Sequence, residues 1–319
     1  MRKIFMTLAL AVSTSLLSAQ EFINTGGANF LTLPTDARSA AMAGSGTALS
    51  GNSPVFHNAA TVFGDDESHG GISYSYSPWM RDFMEDYKLH TVSGFYKLGS
   101  RHAVVAGFRY YGYPSLETSD GSKLTPKEWA FDIGYSYRII DGLSVSATLR
   151  YIKSLLGAVD GFDGASTLAV DIGALYRRKL DSGGRGEWSV GAQVTNLGGK
   201  LSYLSSDESL PASLKIGGAV KYHFSDIHRI AVAADFGYRF QPSDVSAASV
   251  SAGAEYILME MFALRGGYHY GDKEKADYSF ASAGAGVMVY GAKVDFCWLF
   301  GESDCAFRNS WFVTLGYSF

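Results

Sequence analysis

The chain ends Trp311-Phe-Val-Thr-Leu-Gly-Tyr-Ser-Phe319, and this stretch decides the fold. Its odd positions, Trp311, Val313, Leu315, Tyr317 and Phe319, are all large and apolar. After Phe312 the even positions, Thr314, Gly316 and Ser318, are small or hydroxylated. A period of two places successive side chains on opposite faces of a strand. A sheet in water rarely finishes on an unbroken aromatic and aliphatic face. In a transmembrane β-barrel that face meets lipid and the small polar face meets the lumen.

The opposite terminus is consistent with that reading. Met1-Arg-Lys3 is a positively charged leader, Ile4 to Leu17 is apolar, and Leu17-Ser-Ala19 offers a small-residue cleavage site. Residues 1–19 therefore read as a secretory signal peptide, too short and poorly flanked to span a membrane as a helix. No later segment reaches the roughly 18 consecutive apolar residues of a spanning helix. An exported chain of this kind is periplasmic, secreted or outer-membrane. Composition favours the last: 37 Gly, 20 Tyr and 20 Phe, with 7 Pro, suit aromatic girdles and a crowded lumen. A terminal aromatic also resembles the final-strand signal of bacterial outer-membrane proteins. The net charge of −4 is too small to point to nucleic acid, and no nucleic-acid partner is expected.

From about residue 70 one unit recurs: ten or so alternating residues, then a turn. In 129–139, Trp129, Phe131, Ile133, Tyr135, Tyr137 and Ile139 alternate with Ala130, Asp132, Gly134, Ser136 and Arg138. No helical spacing fits this pattern. Fourteen such segments are predicted, at 71–78, 88–98, 102–112, 128–139, 143–154, 166–178, 187–197, 212–224, 228–240, 247–257, 261–270, 278–287, 291–300 and 310–319. An even count suits a closed antiparallel barrel. The fold class is thus all-β, a transmembrane antiparallel outer-membrane barrel of about fourteen strands over 69–319.

Connections after odd-numbered strands are mostly long and polar, and those after even-numbered strands mostly tight, with 179–186 the exception. Long outer loops opposite short periplasmic turns are the topology signature of such barrels. Both termini are therefore expected on the periplasmic side. Charges such as Arg109, Asp132, Arg150, Asp171, Glu255, Arg265 and Asp295 fall on the polar faces. A lipid-facing Arg or Lys at mid-membrane costs about 2–4 kcal/mol, which assigns these charges to the lumen. Mixed signs suggest ion pairs filling a narrow interior, with a selectivity filter or substrate site as the other reading.

Residues 20–68 do not read as strands. Asp36 can cap a short helix over the small residues that follow, and a segment this small cannot support its own core. It is expected to plug the lumen. Phe30-Leu-Thr-Leu-Pro34, Ala37-Arg38-Ser-Ala-Ala41-Met42 and Asn58-Ala-Ala60 resemble the opening of the PorV/PorQ family, FadL-like outer-membrane barrels of the type IX secretion system. Ala43 stands where that family has Gly, and Ala59 where it has Pro. The resemblance covers about thirty residues. It implies a fourteen-stranded barrel whose N-terminal segment folds into the lumen, with Ala37, Arg38, Met42 and Asn58 as plug-motif residues.

Chemistry-bearing patterns are sparse. The seven histidines show no HExxH spacing and no GxSxG elbow occurs, so no enzyme, cofactor or metal is expected. Asp65-Asp66-Glu67 reads as a solvated turn rather than a calcium site. Cys297 and Cys305 could form a disulfide across the last long loop or remain two free thiols. Trp79, Met80, Phe83, Met84 and Tyr87 lie in the first long loop. They either offer an apolar surface to a partner or ligand, or fold over the barrel mouth or into lipopolysaccharide. Two functions follow. The resemblance implies a non-enzymatic component of type IX secretion and surface attachment, with outer-membrane lipid, lipopolysaccharide and other secretion or attachment proteins as partners. The alternative is a FadL-type channel for hydrophobic compounds, which predicts an apolar pocket and an exit.

Overall fold

The computed structural model describes residues 26–319 apart from 52, 65–67, 80–85, 118–122, 157–163, 181–182, 205, 303–304 and 306. Fourteen strands form one closed antiparallel barrel in which each pairs with its sequence neighbours and the first pairs with the last. They are β1 (Gly70–Trp79), β2 (Tyr87–Lys97), β3 (His102–Gly112), β4 (Lys127–Ile140), β5 (Leu143–Ser154), β6 (Ala165–Lys179) and β7 (Gly186–Gly198). The second half comprises β8 (Ser213–Ser225), β9 (His228–Arg239), β10 (Ala247–Leu258), β11 (Phe262–Tyr270), β12 (Phe280–Val289), β13 (Ala292–Gly301) and β14 (Trp311–Ser318). Every predicted strand is present. The largest displacement is β12, which starts two residues late because Ser279 stays in the preceding loop, its Oγ accepting from the Gly271 N–H at 3.1 Å.

Odd-to-even connections gather at one end and tight even-to-odd turns at the other. Two small hairpins, Leu116–Glu117 with Lys123–Leu124 and Lys200–Ser202 with Asp207–Ser209, stand in the long connections. The outer face is the expected apolar one: Ile72, Ile133, Leu149, Ile172, Val232 and Leu315 are all exposed. Aromatic residues ring each end of this band, as at a membrane interface. Near the long loops Tyr76 packs against His90 and Trp311, and Trp129 against Tyr151. Near the short turns Tyr176 packs against Trp188 and Tyr317 against Phe319. Paired His and Tyr side chains satisfy each other's polar atoms there, as in His228 Nδ1 with Tyr256 Oη at 2.6 Å, which suits an amphipathic ring at that depth. No described helix is long and apolar enough to cross a membrane; the strands do so.

Candidate functional site

The described residues of 26–64 lie within the lumen. Helix α1 (Ala37–Ala41) lies against β11 to β14, the 3₁₀ turn Pro54–Phe56 against β2 to β4, and the 3₁₀ helix Ala59–Gly64 against β4 to β6. A segment touching opposite walls of a closed barrel runs inside it. Gly27 N–H donates to Ser209 O at 3.0 Å, at the long-loop end. Phe63 and Val62 pack with Ala103 and Val105 at the short-turn end. The chain therefore threads the whole lumen before β1 begins. Gly26 lies at the long-loop end and Phe319 at the short-turn end; the N-terminus itself lies outside the described residues. Strand alternation places Gly70 beside Phe319 but says nothing of the path that precedes it.

The small hydroxylated face of the strands is what holds this segment. Barrel hydroxyls donate to its carbonyls from all sides: Thr91 to Thr35 O, Ser136 to Ala59 O, Ser144 to Ala60 O, Ser189 to Ala48 O and Ser282 to Ala41 O, at 2.6–2.9 Å. Thr314 of the terminal strand accepts from the Ala37 N–H at 2.8 Å. Short irregular backbone needs such partners, because its amides and carbonyls cannot all be satisfied internally when buried. Glycines let it approach. A Cβ on Gly253 would lie 2.7 Å from Met42 O, and one on Gly267 2.7 Å from the Met42 carbonyl carbon.

Charge clamps the segment. Arg38 grips Glu255 with two parallel bonds, Nε–Oε2 at 2.8 Å and Nη2–Oε1 at 2.9 Å, and donates to Ser50 O at 2.5 Å. Arg265 shares the same carboxylate at 2.6 Å and reaches Asp295 at 2.5 Å. Two cations and two carboxylates make this cluster neutral, as a buried ionic group must be to avoid an uncompensated charge. A second neutral cluster joins Arg109, Arg150, Asp132 and Asp171, with Arg150 to Asp132 at 2.5 Å and to Asp171 at 2.7 Å. Opposite Asp171 a β-bulge presents both Thr195 and Asn196, and Asn196 at φ 58° donates its N–H to Asp171 at 2.7 Å. The Arg109 guanidinium lies 4.8 Å over the Phe56 ring, joining this cluster to the segment as well.

Each plug-motif residue has a definable place. Ala37 and Met42 are buried, and Asn58 Nδ2 donates to Thr47 O at 3.0 Å and Ala174 O at 2.9 Å. Asp36 caps α1 by accepting from Ser39 N–H at 2.9 Å and meets His57 Nε2 at 3.0 Å. Burial alone would raise its pKa, but the hydrogen bond and charge of His57, with the bonds from Ser39, outweigh it and hold the carboxyl at about 2. Burial likewise works against the Arg38 charge, and Glu255 overrides it, raising the Arg38 pKa. Ala43, where the related family has Gly, adopts φ 52°, the left-handed region in which glycine is unstrained.

The long-loop mouth is aromatic. Trp79 stacks edge-on against Phe307 at 5.1 Å and Phe312 at 6.0 Å, and Tyr87 lies 5.9 Å from Tyr111 and 5.5 Å from Tyr113. Both join a buried cluster with Phe30, Leu31, Leu201 and Leu299. Of the first-loop residues singled out in the sequence, these two line the mouth; Met80, Phe83 and Met84 lie outside the described residues, as does Asp65-Asp66-Glu67. Cys297 and Cys305 are buried, and no disulfide joins them. Ser251 Oγ lies 2.8 Å from His269 Nδ1, and Asp277 2.9 Å from Nε2. Ser251 is buried, and the row ties the 271–279 loop to the wall. Among the described residues no three His, Cys, Asp or Glu side chains converge as metal ligands. Val55, His57, Asn58, Asp171 and Gln193 border a cavity of about one water's volume.

Of these wall groups Ser136 and Thr314 are picked out by the alternation, whereas Thr91, Ser189, Ser282, Gly253 and Gly267 are not. Their signal was present in the small polar face of each strand, but that pattern reports a direction and not a partner.

Solved structures share this architecture. The toluene transporter TodX of P. putida is 15% identical, with a TM-score of 0.61 over 89% of this chain and 98% of its own. The toluene transporter TbuX of Ralstonia pickettii is 15% identical, with a TM-score of 0.56 over 89% and 97%. A Pseudomonas aeruginosa FadL homologue is 12% identical, with a TM-score of 0.52 over 90% and 98%. At such identities the likeness is one of fold, that of FadL-like outer-membrane barrels. No curated protein matches the chain in sequence. The family model for the type IX secretion system protein PorV, however, matches residues 17–245. A match over most of a chain that folds as an outer-membrane barrel places this protein in the PorV family of the type IX secretion system.

Proposed function

We propose that this protein is a non-enzymatic outer-membrane component of type IX secretion that works through its long loops, delivering exported proteins or attaching them at the cell surface. The observation that carries the reading is the filled lumen. The described residues of 26–64 occupy it, neutral ion-pair clusters and wall hydroxyls clamp them, and the strand ladders run unbroken around the wall apart from register shifts at Arg138/Ile140, Val170/Ile172 and His223/Ser225. Membership of the PorV family supports the same role. The short turns then face the periplasm and the long loops the outside, with residues 1–19 removed on export, and lipopolysaccharide and other secretion or attachment proteins are the partners of the loop face. Deleting the gene is expected to leave cargo proteins in the periplasm or shed into the medium. Normal surface attachment in the deletion strain overturns the role.

A channel for hydrophobic compounds is the second reading. The likeness to the toluene transporters TodX and TbuX favours it, as does the aromatic cluster around Trp79 and Tyr111 at the mouth. It requires the luminal segment to yield. Uptake of toluene or a long-chain fatty acid by proteoliposomes, compared with protein-free vesicles, separates the two readings.

A further inference from the structure

The long-loop mouth holds a carboxylate that the barrel itself does not neutralise. Glu128 is the second residue of β4, and strand alternation turns it inward with Ala130. It is 1% exposed. Its Oε2 accepts from the Tyr113 hydroxyl at 2.6 Å, and Ser154, opposite on β5, offers a second hydroxyl. Oε1 has no partner. Among the described residues no Lys or Arg pairs with it. Lys127 and Lys153, the cations beside it along these strands, stand on the outward face by the same alternation. A buried charge without a counter-ion is costly, and the two luminal clusters keep that rule, each pairing two cations with two carboxylates. Glu128 breaks it.

Tyrosines surround this group. Tyr111, Tyr113 and Tyr203 all lie within electrostatic reach of the carboxylate. Tyr87 packs on Tyr111 at 5.9 Å and on Tyr113 at 5.5 Å, and Tyr111 meets Tyr113 edge-on at 4.9 Å. Tyr203 donates to Ser154 at 2.6 Å. Burial and the neighbouring carboxylate push the Tyr113 hydroxyl well above its ordinary range, so it stays a donor to Oε2. Phe30 of the luminal segment packs against Tyr111 from the lumen side, while Tyr87, Tyr113 and Tyr203 are half-buried at the loop face. Among the described residues the Tyr87 and Tyr111 hydroxyls form no hydrogen bond. The Tyr87 ring can therefore turn to admit a ligand while Tyr113 keeps Oε2.

The chemistry that fits is narrow. The ligand has to be a cation, since only that compensates the carboxylate. It has to bind through one oxygen, because Tyr113 holds the other, and this disfavours the paired bonds of an arginine fork. An ammonium brings three N–H donors, which match Glu128 Oε1 and the Tyr87 and Tyr111 hydroxyls, and the tyrosine faces add cation–π attraction. A divalent metal needs further anionic ligands, and among the described residues no three converge. We infer that Glu128, with Tyr87, Tyr111 and Tyr113, forms a receptor for a lysine side chain of an exported protein at the long-loop face. The inference rests on the secretion role proposed above, which brings exported polypeptide to this mouth. Lysine delivers a compact ammonium on an apolar stem, suited to passage between aromatic rings. An apolar solute such as toluene leaves the carboxylate uncompensated.

Saturation-transfer NMR on the detergent-solubilised full chain tests it with the peptide acetyl-Gly-Lys-Gly-amide, its Nε-acetylated form and glycerophosphoethanolamine. The expected result is binding of the lysine peptide and none of the acetylated form. Glu128→Gln is expected to weaken the lysine peptide about ten- to a hundredfold, the loss of one charge-assisted bond. Heat-dependent gel mobility verifies that the variant folds, and the acetylated peptide carries the test on the wild-type barrel alone. Equal binding of both peptides, unchanged affinity in Glu128→Gln, or no binding to the wild-type barrel overturns the inference. Tighter binding of glycerophosphoethanolamine assigns the carboxylate to lipid headgroups and overturns it as well. Normal cargo attachment in the deletion strain instead refutes the secretion role and leaves the peptide result standing, so the two failures are told apart.

Discussion

Arg38→Met tests whether the lumen-filling segment is held by its charge clamp. Arg38 contributes two charge-assisted bonds to Glu255 and a third to Ser50 O. Removing one partner of a buried pair costs about 3–5 kcal/mol when the other is left orphaned. Glu255 is not wholly orphaned, because Arg265 still reaches it at 2.6 Å, so about 2–4 kcal/mol is the expected loss. The cluster as a whole passes from neutral to one net negative charge. That loss falls on docking of the segment and not on the barrel, whose ladders Arg38 does not join. At 1.4 kcal/mol per decade the undocked population rises about thirty- to a thousandfold. Hydrogen exchange of residues 36–50 reads it directly, and single-channel conductance in planar bilayers reads it as opening events. The double variant Arg38→Met/Glu255→Met restores neutrality, with Arg265 still on Asp295, and is expected to recover about half of the lost protection. Unchanged exchange in the single variant, or a double variant looser than the single one, refutes the clamp.

Three further outcomes follow from the same geometry. The Asp36 carboxyl is held at about 2 against an ordinary 3.8 by His57 and Ser39 of the same segment; a lowered carboxylate pKa stabilises above the unfolded value, so about 2 kcal/mol of the segment's own structure is present above pH 4 and fades as pH falls toward 2, and Asp36→Asn is expected to flatten that exchange profile. Gly253→Val places branched carbons on Met42 O and is expected to expel α1 while heat-dependent gel mobility of the barrel persists. Ala43→Gly relieves the left-handed backbone at φ 52° and is expected to strengthen docking by about 0.5–1 kcal/mol, seen as slower exchange across residues 36–50.

How far the sequence revealed this molecule depends on what each signal encodes. Alternation along Trp129 to Ile139 specifies which side chains face inward, and in a closed barrel that suffices to locate strands. Charges on those faces had to be luminal, and Arg150 with Asp132 and Asp171 shows them paired there. Arg38 and Asn58 were visible through a family resemblance, but their partners were not: Glu255 lies 217 residues away from Arg38 in the chain. No local pattern carries that distance. Trp79 and Tyr87 could equally have faced a partner or the mouth, because alternation stops where a strand becomes a loop. The cysteine pair stayed open between a disulfide and two thiols, because Cys297 belongs to β13 and Cys305 to the loop beyond it, and spacing along the chain does not fix the distance between them.

The terminal strand links these levels. Ala37 N–H donates to Thr314 Oγ1, Thr314 donates to Ser75 Oγ, and Ser75 donates to Val313 O. One chain of hydrogen bonds therefore joins the luminal segment to both strands of the seam that closes the barrel. Ser53, Ser73 and Ser93 form a parallel chain one strand on, at 3.0 and 2.8 Å. Because hydroxyls buried without partners are costly, Thr314, Ser73 and Ser75 are best satisfied when the seam is shut and the segment is in place. Closure and filling thus reinforce each other, and withdrawing the segment would loosen the contact that makes the wall continuous. A barrel meant to pass solutes would gain from separating those two events. Coupling them favours a rigid, sealed support for the long loops, which is what the proposed secretion role demands of it.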